Sequence, residues 1–125
     1  MRSFQVEKPD IQKMSVDELL DDIVEYGIDG AAMEEIKERP EEQIQEERGK
    51  LGEEYQKQFE NLDSVMNKLR KLREEQSKAA SWEERQEIGR KINEIQWQRV
   101  YIWNQIGKTV TKRSSLEKIR REGKI

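Results

Sequence analysis

The chain has 125 residues, which is the length of one small domain. Charged residues make up 41% of it and hydrophobic residues 33%, so there is too little apolar surface for a thick globular core but enough for seams between long helices. Cysteine and histidine are both absent, which excludes disulfides, nucleophiles and general bases of these two types, and ordinary zinc sites.

The sequence lacks the signals of a membrane or secreted protein. No stretch approaches the roughly 18 apolar residues of a membrane span, and no apolar run that would indicate a signal peptide follows Arg2. We therefore expect an intracellular, cytoplasmic protein that does not act at a membrane.

The net charge of −3 conceals an uneven distribution. Residues 15–63 carry 17 acidic and 5 basic side chains, a net charge of −12; residues 64–125 carry 16 basic and 8 acidic ones, a net charge of +8; and residues 1–14 add +1. Opposite charges of this kind attract within a hairpin or head-to-tail between chains, and salt weakens the attraction between exposed groups. A solvated helix surface with uneven charge is the alternative interpretation.

The first part of the chain predicts an arm followed by a short helix. Residues 1–14 carry Pro9 and no apolar period, and we interpret them as an extended or disordered arm. Ser15 and Glu18 have the spacing of a capping box, which predicts a helix over 16–26 that Gly27 terminates.

A second short helix is predicted over 30–39, with Asp29 as its cap. It ends before Pro40, because proline disfavours helix in the residue that precedes it. Ala32, Met33 and Ile36 face one way on this helix.

Two long helices are predicted over 41–77 and 82–110, the second beginning at a capping box formed by Ser81 and Glu84. Apolar residues recur along both at heptad spacing, which is typical of a coiled-coil seam, and Arg99 interrupts the second seam. The predicted seam residues are Tyr55, Phe59, Leu62, Met66 and Leu69 on the first long helix, and Ile88, Ile92, Ile95, Ile102 and Ile106 on the second.

These elements predict an all-α fold. The short link between the long helices makes them an antiparallel helical hairpin, partly coiled-coil, which forms a small bundle with the short N-terminal helices. We predict a single helical domain over 15–110, followed by a basic C-terminal tail over 111–125.

The segment 95–106 carries more apolar side chains than one seam can bury. Trp97, Val100, Tyr101 and Trp103 lie beside the seam and cover more than one face of the helix. Tryptophan and tyrosine are typical anchors of protein interfaces, so we predict that these four residues bind a partner. The cover is the first helix folded back, a second copy of the chain or a different protein.

The tail is the candidate for nucleic acid, because clustered cations neutralise phosphates. Its basic residues are Lys112, Arg113, Lys118, Arg120, Arg121 and Lys124. No aromatic residue follows Trp103, so base stacking is not indicated. A short amphipathic hook built on Leu116 and Ile119, which docks on an acidic surface, is the alternative.

No motif indicates catalysis, a cofactor or a metal. Gly107-Lys108-Thr109 lacks the earlier glycine and the preceding strand of a phosphate-binding loop. The acidic cluster around Asp21 lacks the spacing of a calcium loop. We predict a protein that is not an enzyme and uses no cofactor, metal or small-molecule substrate.

The predicted function is a helical protein-interaction or assembly protein, an oligomerising adaptor that binds another protein or itself; such a layout suits viral or bacterial assembly. One alternative is nucleic-acid binding through the basic tail. The other is an acidic inhibitor that presents residues 15–63 to an enzyme as a DNA-like surface. Its carboxylates must then be exposed in rows, and reversing the charges of Glu34, Glu35, Glu41 and Glu42 should abolish inhibition.

Overall fold

The computed structural model of the protein describes residues 11–27 and 30–123, which form four α-helices and no strand. The helices are α1 (Val16–Tyr26), α2 (Ala31–Lys37), α3 (Glu41–Lys78) and α4 (Trp82–Gly123). The long helices α3 and α4 pack against each other, which confirms the predicted all-α helical hairpin. Most of the arm predicted over 1–14 lies outside the described residues, and Ile11–Lys13 forms a short 3-10 helix.

Local side-chain chemistry sets the helix ends. The Glu18 backbone N–H donates to Ser15 Oγ at 3.1 Å and the Ser15 N–H to Glu18 Oε1 at 3.2 Å, which confirms the predicted capping box. At Gly27 the backbone turns to a φ of +99°, a region that favours glycine, and α1 ends. Ser81 Oγ accepts a hydrogen bond from the Glu84 N–H at 3.1 Å at the start of α4.

Three helices differ from the predicted bounds. The second helix covers Ala31–Lys37 instead of 30–39, and the predicted cap Asp29 lies outside the described residues. The first long helix covers Glu41–Lys78 and so ends one residue later than predicted. The helix predicted over 82–110 continues to Gly123, so residues predicted as a basic tail form its last turns. Burial is the physical reason: Leu116 and Ile119 are 0% and 1% exposed, and helix brings both onto one face.

The chain divides into two compact units, and both long helices contribute to each of them. Unit 1 comprises the residues up to Leu51 and those from Thr111 onward. Its apolar core joins α1, α2, the start of α3 and the end of α4. The buried core residues are Val16, Leu19, Leu20, Ile23, Ala32, Met33, Ile36, Ile44, Leu51, Leu116 and Ile119.

Unit 2 is the hairpin segment Gly52–Val110. Val65, Leu69 and Ile92 form its buried centre, and Leu72, Ile88, Ile95 and Ile102 pack against them. Leu62 and Ile106 are also buried, whereas Tyr55 and Phe59 are half-buried. Helices α3 and α4 thus meet along most of the predicted seam residues.

One seam position differs from the prediction. Met66 is 39% exposed and Val65, which was not predicted, is 6% exposed. Between Leu62 and Leu69 either residue completes a heptad, because both 3-then-4 and 4-then-3 steps keep the period. The position of α4 selects Val65 and leaves Met66 on the flank of α3.

Candidate protein-interaction surface

The predicted partner-binding residues lie on the outside of unit 2. Trp97, Val100, Tyr101 and Trp103 are 74%, 42%, 65% and 54% exposed. Isolated exposed apolar residues are common in proteins, but three aromatic side chains within seven residues of one helix make a continuous patch. We call these four residues the aromatic face.

Helical geometry joins the four side chains. Trp97 and Tyr101 are separated by four residues, and Trp97, Val100 and Trp103 follow one another at intervals of three, so consecutive members are neighbours on the surface of α4. Because α4 continues on both sides of this segment, the spacing is held by a rigid helix and not by a loop.

Helix α3 supports one edge of the aromatic face. The rings of Trp103 and Phe59 meet edge to face with centroids 6.2 Å apart, and Phe59 and Tyr55 meet similarly at 4.8 Å. Such edge-to-face pairs stabilise by about 1 kcal/mol beyond their area burial. The Trp103 ring is therefore held in place on one side and open to a partner on the other.

The apolar face of helix α1 is occupied within unit 1. Val16, Leu19, Leu20 and Ile23 are buried in the core of that unit. These side chains are therefore not available to cover another apolar surface.

The segment of α4 that carries the aromatic face has few charges. Between Ile95 and Val110 the only charged residues are Arg99 and Lys108. Arg99 is half-buried, as expected of a residue that interrupts the seam. Glu94 is exposed one turn before Trp97 and places a carboxylate at the edge of the aromatic face.

Some exposed apolar side chains were not predicted from the sequence. Val110, Trp82 and Tyr26 are all exposed in the structure. Val110 lies seven residues after Trp103, and that interval could have revealed it. Trp82 and Tyr26 stand at helix ends, where periodicity gives no signal.

The described candidate nucleic-acid residues differ in their exposure. Lys112 points into unit 1, where its Nζ lies 2.5 Å from Asp21 Oδ1 and 3.6 Å from Asp17 Oδ1. Arg113, Lys118 and Arg120 are exposed, while the side chain of Arg121 and the whole of Lys124 lie outside the described part of the chain. The hook residues Leu116 and Ile119 belong to the core.

Glu47 is a buried carboxylate close to Lys112. No local pattern in the sequence predicted its burial, because the side chains that interact with it come from three helices. Glu47 on α3 is 8% exposed and lies near Asp17 of α1 and Lys112 of α4. Burial raises the pKa of Glu47 above its ordinary value of 4.5, and the negative charge of Asp17 and a side-chain hydrogen bond to it raise the pKa further. Lys50 and Lys112 oppose the shift.

Two of the four glutamates named for the DNA-like surface form ion pairs with neighbouring cations. Glu34 Oε1 lies 3.3 Å from Lys37 Nζ, and Glu35 Oε1 lies 3.1 Å from Arg39 Nε. Glu41 and Glu42 are exposed in the first turn of α3, where carboxylates stabilise the positive end of the helix dipole.

Among the described residues, no group of three or more acidic side chains has the arrangement of a metal site. No described helix carries an apolar stretch of the length needed to cross a membrane. Comparisons with protein-family models, curated proteins and solved structures yield no match to this chain.

Proposed function

We propose that the protein is a helical protein-interaction module and that the aromatic face of α4 is its contact surface. The observation that carries this proposal is the exposure of Trp97, Tyr101 and Trp103 on one rigid helix, each more than half open to solvent. With about 250 Å² for a whole tryptophan side chain, these three residues expose about 450 Å² of largely apolar surface. The largest apolar patch on a soluble monomer is commonly about 300–600 Å² and is often functional, and the exposed aromatic area lies in this range.

The module is proposed to act by assembly and not by catalysis. The helical hairpin of unit 2 acts as a spacer that holds the anchors at fixed intervals, and unit 1 closes its own core around α1 and α2. The partner is a second copy or another protein, so the module works as an oligomerising adaptor.

Nucleic-acid binding has weaker support. Lys112 is held by two carboxylates of unit 1, and Glu117 places an acidic side chain among the tail cations. The inhibitor hypothesis also lacks support, because Glu34 and Glu35 are paired with neighbouring cations.

The test compares the wild-type chain with a triple variant that carries Trp97→Ser, Tyr101→Ser and Trp103→Ser. Light scattering on a sizing column, at low and at high salt, gives the mass relative to the 15.0 kDa of one chain. Affinity capture then asks whether another protein binds in a fixed ratio. We expect the wild type either to self-associate or to bind another protein in a fixed ratio, and we expect the triple variant to lose that complex.

The matched control replaces three exposed polar residues on the opposite flank of α4, Glu87→Ser, Lys91→Ser and Gln98→Ser, and we expect it to keep the complex. Circular dichroism must show the same helix content in all three proteins. A wild type that stays at the mass of one chain and binds no protein in a fixed ratio contradicts the proposal. Loss of the complex in the control variant contradicts the assignment of the surface.

A further inference from the structure

Helix α4 carries a second heptad stripe beside the seam. Residues recur at steps of 4, 3, 4 and 3 along one flank of the helix. We call the set the flank stripe, and its members are Gln96, Val100, Trp103, Gly107 and Val110. Val100, Trp103 and Val110 are all exposed.

The flank stripe stands about 100° around α4 from the seam, because each member follows a seam position by one residue, as Trp103 follows Ile102. In a four-helix bundle every helix packs against two neighbours that lie roughly at a right angle to one another. Helix α4 uses one of these directions for α3. The flank stripe faces the second direction, and no helix packs on it among the described residues.

The flank stripe is complementary to itself when it is reversed. If two copies of α4 run antiparallel about a two-fold axis near Gln105, Trp103 of each copy faces Gly107 of the other, and Val100 faces Val110. An added Cβ at Gly107 would meet no heavy atom within 4 Å, so there is room beside this glycine for a ring. Helices interdigitate well when a large side chain on one lies opposite a small residue on the other.

The available area fits a small dimer interface. Trp103, Val100 and Val110, with Met66 on the same flank of α3, expose about 350 Å² of apolar surface per copy, taking about 250 Å² for a whole tryptophan. About 57% of a whole non-obligate interface is apolar, so about 350 Å² of apolar surface corresponds to about 600 Å² per partner, which is the lower end of the range for specific interfaces. The area therefore supports a weak, concentration-dependent dimer.

We propose that the flank stripe binds the flank stripe of a second copy, with the two α4 helices antiparallel and the two-fold axis near Gln105. Two hairpins then complete a four-helix bundle. This inference rests on the proposed function, because it names the partner of the part of the aromatic face that Val100 and Trp103 form. It also separates Trp103, which lies in the interface, from Tyr101, which lies about 100° further round the helix from Val100 and stays outside it.

Gly107→Ala is the decisive variant, because the effects expected on the single chain and on the dimer have opposite signs. Alanine favours helix over glycine, so the helix content and the thermal midpoint of the single chain should not fall. The new methyl group fills the space for the Trp103 ring, and we expect the dimer dissociation constant to rise at least tenfold in sedimentation equilibrium.

Gly49→Ala is the matched control. Gly49 is also an exposed helical glycine whose added Cβ would meet no heavy atom within 4 Å, and it lies on α3 within unit 1. We expect it to leave the dissociation constant within twofold of the wild type. Trp103→Ala should weaken the dimer at least tenfold and Tyr101→Ala by less than twofold. Equal effects of the two glycine variants, or of the two aromatic variants, overturn the proposal.

The register is tested by disulfide formation, since the chain contains no cysteine of its own. A mixture of Val100→Cys and affinity-tagged Val110→Cys should yield a mixed disulfide, because these positions face each other. Val100→Cys alone should not cross-link: ten residues of helix separate its two copies by about 15 Å, and a disulfide needs Cα atoms within about 7 Å. Cross-linking of Val100→Cys with itself indicates parallel helices and overturns the register.

The outcomes distinguish this inference from the proposed function. A wild type that remains a single chain at all concentrations, yet binds another protein through Trp97, Tyr101 or Trp103, overturns the inference and leaves the proposed function standing. A wild type that neither dimerises nor binds any protein overturns both.

Discussion

Leu116→Ala tests whether the end of the chain belongs to the core of unit 1. Leu116 is 0% exposed and packs in the cluster that includes residues of α1 and α2. The substitution removes three carbon atoms, which costs about 2.4 kcal/mol at about 0.8 kcal/mol for each buried group. The cavity left behind raises the expected loss in free energy of unfolding to about 3–5 kcal/mol.

The assay is urea denaturation followed by circular dichroism. With a denaturant slope of about 1.5 kcal/mol/M, a loss of about 3 kcal/mol lowers the unfolding midpoint by about 2 M. Ser114→Ala, an exposed position two residues earlier, is the control and should change stability by less than about 0.5 kcal/mol. If Leu116→Ala is as mild as this control, Leu116 is not in a core and the segment after residue 110 is a solvated tail.

Two further predictions concern the charges buried in unit 1. Burial raises the pKa of Glu47, so the stability that its protonated carboxyl contributes is lost as pH rises above 4.5. The Glu47→Gln variant should therefore melt at the same temperature as the wild type below pH 4.5 and at a higher temperature at pH 7. Equal melting temperatures at pH 7 would contradict the raised pKa. Lys112→Met keeps the packed side-chain stem but removes the cation that pairs with Asp17 and Asp21. We expect the free energy of unfolding to fall by about 1 kcal/mol in low salt and by less in high salt. A fall that does not depend on salt would mean that Lys112 stabilises the fold by packing and not by charge.

The local features of the fold could be read from the sequence because they depend on neighbours in the chain. Ser15 and Glu18 lie three residues apart, so their reciprocal hydrogen bonds need only one turn of helix. Gly27 ends α1 because it adopts a positive φ at little cost, and that property belongs to the residue itself. The heptad spacing from Tyr55 to Leu69 and from Ile88 to Ile106 likewise predicts the packed hairpin.

The end of α4 could not be predicted in this way. Six basic residues after residue 111 resemble a solvated tail, and of the three apolar residues in that segment only Leu116 and Ile119 have the spacing of one helix face. Their partners are α1, α2 and the start of α3, which lie more than 60 residues earlier in the chain. No local pattern reports a contact over such a distance.

The amino-acid pattern was enough to show that this protein is helical, where most of its helices begin and end, and that the segment 95–106 carries more apolar surface than one seam can bury. Capping, glycine conformation and heptad spacing act within a turn or two of helix, so short stretches of sequence contain them. Packing in three dimensions was needed to show that Val65 enters the seam in place of Met66, that the basic tail closes the core of unit 1, and that the apolar face of α1 is buried in that core. Each of these choices depends on which helix lies opposite, because the free energy of burial is gained only between surfaces that meet in space.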